Sequence, residues 1–327
     1  MDRTTRLHSL PIRVSLVILS LTGGSGCATM GLDRGRSLVP TGFHVRTGSF
    51  LVCTNAKLEP DAPVLGQLKA LEAQISDTLG IKAEVGDHPV EVYLLDDRPA
   101  FDHFLQFHYP DLPKRRAFFL ANGKQRVVYT FLGDRTEEDV RHEATHALLH
   151  VAVGDMPLWL DEGLAEYFEG AKPSPGAAGG VNSEHLDRLP TDLASGWSPD
   201  LRRLESLRAV RQMSPRDYRE SWAWVHYLLN DTRPHKAALL AYLGDLRTAP
   251  GPRPMSDRLG NAGSSPLLAH LNRVREHPIA ATVPSRDPTV RLQSAQSDPV
   301  AEPPVNESPP IEKRRSVIGR LFGWLGS

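Results

Sequence analysis

The sequence predicts an α+β protein in which a small mixed β-sheet with a hairpin packs on a histidine-bearing helix, followed by a mainly helical lobe. Three observations predict this class. β-rich runs alternate with stretches of helical periodicity in the first part of the chain. Two of these runs are separated by Asn122-Gly123, a dipeptide typical of tight hairpin turns. Further on, apolar and aromatic residues recur at helical spacing.

The same patterns predict each strand and helix that precedes the histidines. Strands are rich in β-branched and aromatic residues, whereas the predicted first helix has leucines at helical spacing. The predicted elements are, in order, a strand at Phe50–Cys53, a helix within residues 62–80, a strand at residues 90–95, a short helix around Phe101–Phe107 and a hairpin within residues 117–131.

The N-terminal segment has the pattern of a secretory signal. Three arginines precede the apolar run Val14–Leu21, which is shorter than the about 20 residues of a membrane-spanning helix, and small residues lead to Cys27. This arrangement is similar to a bacterial lipobox, in which the cysteine receives a lipid, although Gly24 stands where lipoproteins usually carry leucine. Lipidation of Cys27 is the interpretation we favour over a plainly cleaved signal or an unprocessed anchor.

Changes in amino-acid composition along the chain predict where one region ends and the next begins. Proline, serine and charged residues without apolar periodicity indicate a disordered linker, and a basic segment with apolar residues on one helical side indicates an amphipathic C-terminus. The predicted regions are a lipoprotein-type signal peptide at 1–27, a tether at 28–45, one catalytic domain at 46–278, a linker at 279–310 and a basic amphipathic segment at 311–327. The last segment is expected to lie on a lipid surface or to dock on protein.

Charge and cysteine content exclude some classes of function. A net charge of −1 gives no electrostatic reason to expect a nucleic-acid partner. If Cys27 carries lipid, Cys53 has no intramolecular partner, so we expect a buried structural thiol and no disulfide.

The segment RHEATHALLH, residues 141–150, carries the strongest chemical signal. Acidic residues after Thr136 favour a helix start there, and positions four apart on a helix lie one above the other. His142 and His146 are therefore expected to face one metal ion, with Glu143 beside them as general base, the arrangement H-E-x-x-H of zinc sites. The alternative is a pair of surface histidines. His150 lies one turn too far along and is expected to pack rather than bind.

A zinc site of this kind needs a third protein ligand, and the next helix supplies a glutamate. Gly154, Asp155 and Pro157 form a turn, His146 lies a few residues before it and Glu162 a similar number after it, so an antiparallel helical hairpin brings both to the same level. Glu166, one turn further along, is the other candidate on spacing. We assign Glu162 as the ligand and expect Glu166 to accept a hydrogen bond from a ligand histidine.

At this point the sequence resembles a known family. HEATH followed by PLWLDEGLAEYFEG is similar to the gluzincin metallopeptidases, especially the WLNEGFAEY segment of the aminopeptidase N-like family, and to the peptidase-MA-like group of uncharacterised bacterial proteins. The resemblance covers about residues 116–230. It implies a zincin-like fold, a Zn²⁺ cofactor with Glu162 as third ligand, and Tyr218, which opens a later helix, as the residue that stabilises the oxyanion. Ser221 stands where that pattern usually has glycine.

The implied activity is hydrolysis of peptide bonds by a zinc metallopeptidase (HExxH protease) in the cell envelope, membrane-anchored at its periplasmic or outer face. Zinc-bound water would attack the carbonyl, Glu143 would move the proton to the leaving amine, and Tyr218 would stabilise the oxyanion. An edge strand near residues 125–131 is expected to pair with an extended peptide. The alternative function is a non-catalytic zinc-binding lipoprotein that acts as a scaffold or peptide-binding module, and the alternative role of Tyr218 is packing.

Overall fold

The computed structural model describes residues 38–170, 180–249, 251–260 and 264–276. The predicted signal peptide with Cys27, most of the predicted tether, the linker and the segment 311–327 lie outside the described residues.

A five-stranded mixed sheet forms the first half of the described chain. Its strands are β1 (Phe43–Thr47), β2 (Phe50–Thr54), β3 (Val90–Leu95), β4 (Phe118–Asn122) and β5 (Gln125–Phe131). Their order across the sheet is β1-β2-β3-β5-β4, with β2, β3 and β5 parallel and the two outer strands antiparallel to their neighbours. The sheet is open, and β1 and β4 are its two edges.

Two helices lie between the strands in sequence, and after the last strand the described chain forms only helices. Those between the strands are α1 (Pro63–Leu79) and α2 (Arg98–His108), and those after the sheet are α3 (Thr136–Ala152), α4 (Leu158–Glu169), α5 (Ser183–Ala194), α6 (Leu201–Ser206), α7 (Pro215–Asn230), α8 (Arg233–Thr248), α9 (Met255–Leu259) and α10 (Ser264–Glu276). An α+β chain with a mainly helical second part is what the sequence predicts, so the fold class is confirmed. In the part of the chain that the structure describes, no helix has the length and apolar character needed to cross a bilayer.

The sheet is buried on both faces because successive side chains of a strand point to opposite sides. In β5, Val128 belongs to the large core shared with α1, α3, α4 and α7. Its neighbours Val127 and Tyr129 belong to a smaller aromatic core with Phe101 and Phe104 of α2. Helix α3 therefore lies on the face of the sheet opposite α2. The side of α3 that faces away from the sheet packs against α4.

Three details of the sheet differ from the sequence prediction: where β1 begins, whether β5 is an edge strand, and where the hairpin loop begins. β1 begins at Phe43, inside the predicted tether at 28–45, and its residues are mostly exposed, which is why apolar periodicity does not reveal it. β5 is not an edge strand, because it pairs in parallel with β3 and the antiparallel partner β4 lies outside it. Asn122 pairs with Gln125, so the tight hairpin loop begins at Gly123, whose φ of 59° suits glycine.

Candidate metal centre

Helix α3 carries both histidines of the H-E-x-x-H segment on one side. Its apolar residues Val140, Ala144 and Ala147 are fully buried against the core, and acidic side chains occupy its first turn, where they suit the helix dipole. The hydroxyl of Thr136 donates to the Phe131 carbonyl, 3.1 Å away, and so ties the start of the helix to the end of β5. This arrangement turns the side chains at positions 142 and 146 towards α4.

Helix α4 returns antiparallel to α3 after a turn at Gly154, where φ is 89°. Glu162 is buried on it, and its Oε2 lies 3.8 Å from His142 Nε2 and 3.7 Å from His146 Nε2. The two Nε2 atoms lie 3.3 Å apart. A tetrahedral metal ion with ligand bonds of about 2.0 to 2.1 Å separates its ligand atoms by about 3.4 Å. The three residues therefore form a group that could hold a metal ion.

Carboxylates stand behind both histidines and orient them. His142 Nδ1 lies 3.0 Å from Glu169 Oε2, and His146 Nδ1 lies 3.0 Å from Asp161 Oδ1, although the second contact lacks good hydrogen-bond geometry. A carboxylate at Nδ1 keeps the proton on that nitrogen and leaves the Nε2 lone pair free for a metal. In their neutral form, both imidazoles are therefore favoured in the tautomer that a metal ion requires, His142 by a hydrogen bond and His146 by the nearby charge of Asp161.

The predicted role of Glu166 is wrong in its partner. Its Oε2 lies 3.0 Å from His185 Nε2 on α5, and the carboxylate that accepts a hydrogen bond from a candidate ligand histidine is Glu169 instead. Glu169 lies seven residues after Glu162 and is turned about 20° from it around the helix, whereas Glu166 is turned about 40° the other way. Those angles point Glu166 towards α5. His142, Glu166 and Glu169 also lie close enough to hold an ion, but both carboxylates already pair with a histidine there.

The site stabilises positive charge even without an ion. Burial disfavours a charged His146, but Asp161 and Glu162 outweigh it and raise its pKa to about 9. Burial also disfavours a charged His142, but the hydrogen bond that it donates to Glu169, together with neighbouring carboxylates, raises its pKa well above the ordinary value. Burial raises the pKa of Glu162, partly offset by the two histidines. Neutral imidazoles and an ionised Glu162 would be restored by a bound cation that takes the place of these protons.

Glu143 and Tyr218 border the same site. Glu143 follows His142 on α3, is partly buried, and adds to the negative potential that raises the pKa values of His142 and Glu162. Tyr218 lies in the first turn of α7 and is partly exposed; burial raises its pKa, and the charge of Glu162 raises it further. The structure therefore brings a second carboxylate and a phenol hydroxyl to the edge of the candidate metal centre.

Other sequence predictions for this region are confirmed. The aromatic residues at helical spacing are buried in the large core, namely Trp159, Tyr167, Phe168, Trp222 and Trp224. His150 packs edge-on against the ring of Phe119 with centroids 5.9 Å apart and does not join the metal group. Cys53 is a buried free thiol.

Arg141 supports the site and was missed by sequence reasoning. Its buried guanidinium donates to the carbonyls of Glu169 and Gly170 at the end of α4 and to Gln74 on α1. Burial lowers its pKa to about 10. The contacts hold the last turn of α4, and with it the carboxylate of Glu169, against α3. A sequence signal for this role is lacking, because an arginine next to a histidine motif reads as a solvated charge.

In a comparison with known protein families, one family model matches part of the chain. A family model described as "Protein of unknown function (DUF1570)" matches residues 138–250, which include α3, α4 and α7. No curated protein matches the chain.

Proposed function

We propose that this protein is a zinc-dependent peptidase. The observation that carries the proposal is the group His142, His146 and Glu162, whose ligand atoms lie 3.3 to 3.8 Å apart with Glu143 on the adjoining position of α3. Two imidazoles and one carboxylate are the donor set of catalytic zinc sites, which keep a further position open. The H-E-x-x-H and E-G-x-A-E-Y segments support peptide hydrolysis rather than another zinc chemistry.

Zn²⁺ bound there would act as a Lewis acid and lower the pKa of coordinated water towards 7. Glu143 would accept the proton of the attacking water and pass it to the amine of the leaving peptide. Tyr218 would donate its hydroxyl hydrogen to the oxygen that becomes negatively charged, and its raised pKa keeps that hydrogen in place. Glu169 and Asp161 would hold the imidazoles fixed through the reaction.

An extended peptide has a place to pair. β4 is the edge strand on the α3 side of the hairpin, so its outer backbone groups face no other described strand. Strand addition along Phe118–Asn122 would supply main-chain hydrogen bonds without demanding a particular sequence. Such pairing holds the peptide backbone in the same way whether the bond that is cut lies within the peptide or near one of its ends.

We further propose that the protein acts in the bacterial cell envelope. The support is the N-terminal pattern of arginines, apolar run and Cys27. Attachment by lipid at Cys27 would keep the peptidase on a membrane surface, with peptides or proteins of that compartment as substrates and no nucleic-acid partner.

The test combines metal analysis with peptide profiling of the full chain. We expect about one zinc per chain, cleavage of peptides from a mixed library, and loss of cleavage in Glu143→Gln with zinc retained. Tyr218→Phe should lower turnover by about 100-fold, as loss of one oxyanion donor does elsewhere. Zinc binding without cleavage of any peptide would favour the scaffold or peptide-binding role and would refute the enzyme.

A further inference from the structure

In the described part of the chain, Arg115 is an arginine whose guanidinium pairs with no acceptor. It is partly buried in the segment between α2 and β4, and its Nε is buried with no hydrogen bond. Among the described residues it forms no ion pair, and its side chain as a whole is only partly buried. A buried guanidinium N–H without an acceptor is destabilising, because it has lost its hydrogen bonds to water and gained none in return. An anion that reached this group would relieve that cost.

The neighbouring Arg116, in contrast, has partners for its guanidinium. Arg116 Nε lies 3.0 Å from Asp139 Oδ2, its terminal nitrogen lies 3.3 Å from Asp134, and its guanidinium stacks over the ring of Phe131. The Arg116 carbonyl accepts from the Thr130 hydroxyl at 3.3 Å. These contacts fasten the segment to the start of α3 and to β5, so the backbone that carries Arg115 is held in place.

The segment passes the metal centre. Asp139, the partner of Arg116, lies four residues before Glu143, and side chains at that spacing stand one above the other on a helix. Tyr218 approaches from α7, and the positive charge of Arg115 partly offsets the rise that burial and Glu162 cause in the pKa of its hydroxyl. The backbone that carries Arg115 is therefore fastened through Arg116 to α3 one turn before Glu143, and the charge of Arg115 acts on Tyr218 at the start of α7.

We propose that Arg115 binds a carboxylate of the peptide substrate next to the bond that is cut. The proposal deepens the peptidase function and rests on it. A guanidinium presents two parallel N–H groups that match the two oxygens of a carboxylate.

Two groups in a peptide carry this chemistry, the C-terminal carboxylate and the side chain of Asp or Glu. The experiment separates them with three fluorescein-labelled hexapeptide pools. The first has uncharged residues and a free C-terminus, the second has one Glu at varied positions and a C-terminal amide, and the third has uncharged residues and an amide. Binding is measured by fluorescence anisotropy on the full chain with Glu143→Gln, so that no cleavage interferes.

We expect the first or second pool to bind more tightly than the third, which identifies the carboxylate source. Arg115→Gln should lower the affinity for that pool by about 10- to 100-fold and leave the affinity for the third pool unchanged. Arg115→Lys should lie between, since lysine keeps the charge without the paired donors. Lys114→Gln removes one exposed charge from the same segment and is the matched control, expected to bind all pools as before. Unchanged zinc content and melting temperature show that the variants are folded.

Equal binding of the three pools, no binding of any pool, or an undiminished preference in Arg115→Gln would overturn the proposal. The outcome for the peptidase function is separate. A carboxylate preference that depends on Arg115 in a protein that cleaves nothing would support the binding site and refute the enzyme, whereas cleavage with no such preference would do the reverse.

Discussion

Glu162 and Glu166 stand one turn apart on α4, but only Glu162 lies within 4 Å of both ligand histidines. The difference is set by rotation around the helix, since a 100° step per residue turns Glu166 away towards His185. Glu169 returns nearly to the angle of Glu162 and reaches the outer nitrogen of His142. The three glutamates of this helix therefore meet different atoms: Glu162 faces the Nε2 atoms of His142 and His146, Glu166 faces His185, and Glu169 accepts from His142 Nδ1.

These partners predict an order of zinc affinities. Glu162→Gln should weaken binding by more than the about 10- to 100-fold that loss of a supporting carboxylate costs, and Glu169→Gln should fall within that range. Glu166→Gln should stay close to wild type, because its partner is His185. Competition with a chromogenic chelator measures all three. A metal-free Glu166→Gln protein would mean that the ligand assignment is reversed.

At the scale of elements, α4 and α7 approach closely, which sets the first turn of α7, with Tyr218, beside the helix that carries Glu162. Gly163 lies at the contact, where a Cβ would stand 2.6 Å from the carbonyl oxygen of Ser221 and 2.8 Å from Val225. The obstacle is backbone, which cannot rotate away as a side chain does. The glycine next to Glu162 is thus explained by helix packing.

Gly163→Ala should therefore push α7 away from α4. Overpacking of this kind typically destabilises by about 1 to 3 kcal/mol, and the displacement should also lower turnover because Tyr218 moves with α7. The matched control is Gly66→Ala in the exposed face of α1, where a Cβ meets nothing within 4 Å and should stabilise by about 0.5 to 1 kcal/mol. Thermal unfolding measures both, and equal effects at the two positions would contradict the packing argument.

The contact of α7 with α10 is built on histidines. His226 Nδ1 lies 2.9 Å from His270 Nε2, and the His226 side chain is fully buried beside the rings of Tyr167 and Trp222. Burial, together with the neighbouring His270, lowers the pKa of His226 to about 3. Burial likewise lowers the pKa of His270, which Asp231 partly offsets. The pair is therefore neutral in the folded protein.

At the scale of the whole molecule, this pair predicts loss of stability in acid. The unfolded chain binds a proton at His226 near pH 6.5 and the folded chain does not, so stability is full above that pH and falls as the pH drops towards 3. The contribution of His226 should be a loss of about 2 kcal/mol between pH 7 and 5. His226→Gln should reduce the acid dependence by that amount, measured by urea unfolding at both pH values. His44→Gln, at an exposed histidine of β1, is the control and should leave it unchanged.

Attachment to a membrane is a prediction for the entire chain in its cell. If Cys27 is the lipidated residue, cells fed a fatty-acid analogue should label the protein, and Cys27→Ser should abolish the label because no other residue offers that thiol at the end of the signal. Cys53→Ser is the control and should label as before, since its thiol is buried in β2. Labelling that persists in Cys27→Ser would exclude this anchor.

The sequence by itself determined the order and type of the main elements and the residues at the centre of the site. Periodicity is local, so strand β2, helix α1, the β4–β5 hairpin and the i,i+4 placement of His142 and His146 follow from nearby residues. Only the tertiary structure decided what depends on rotation and on contacts between distant segments. Sequence spacing measures distance along a helix and not the angle at which a neighbouring helix meets it. For that reason the roles of Glu169, Asp161 and Arg141, the turn of Glu166 towards His185 and the unpaired state of Arg115 required the packed fold.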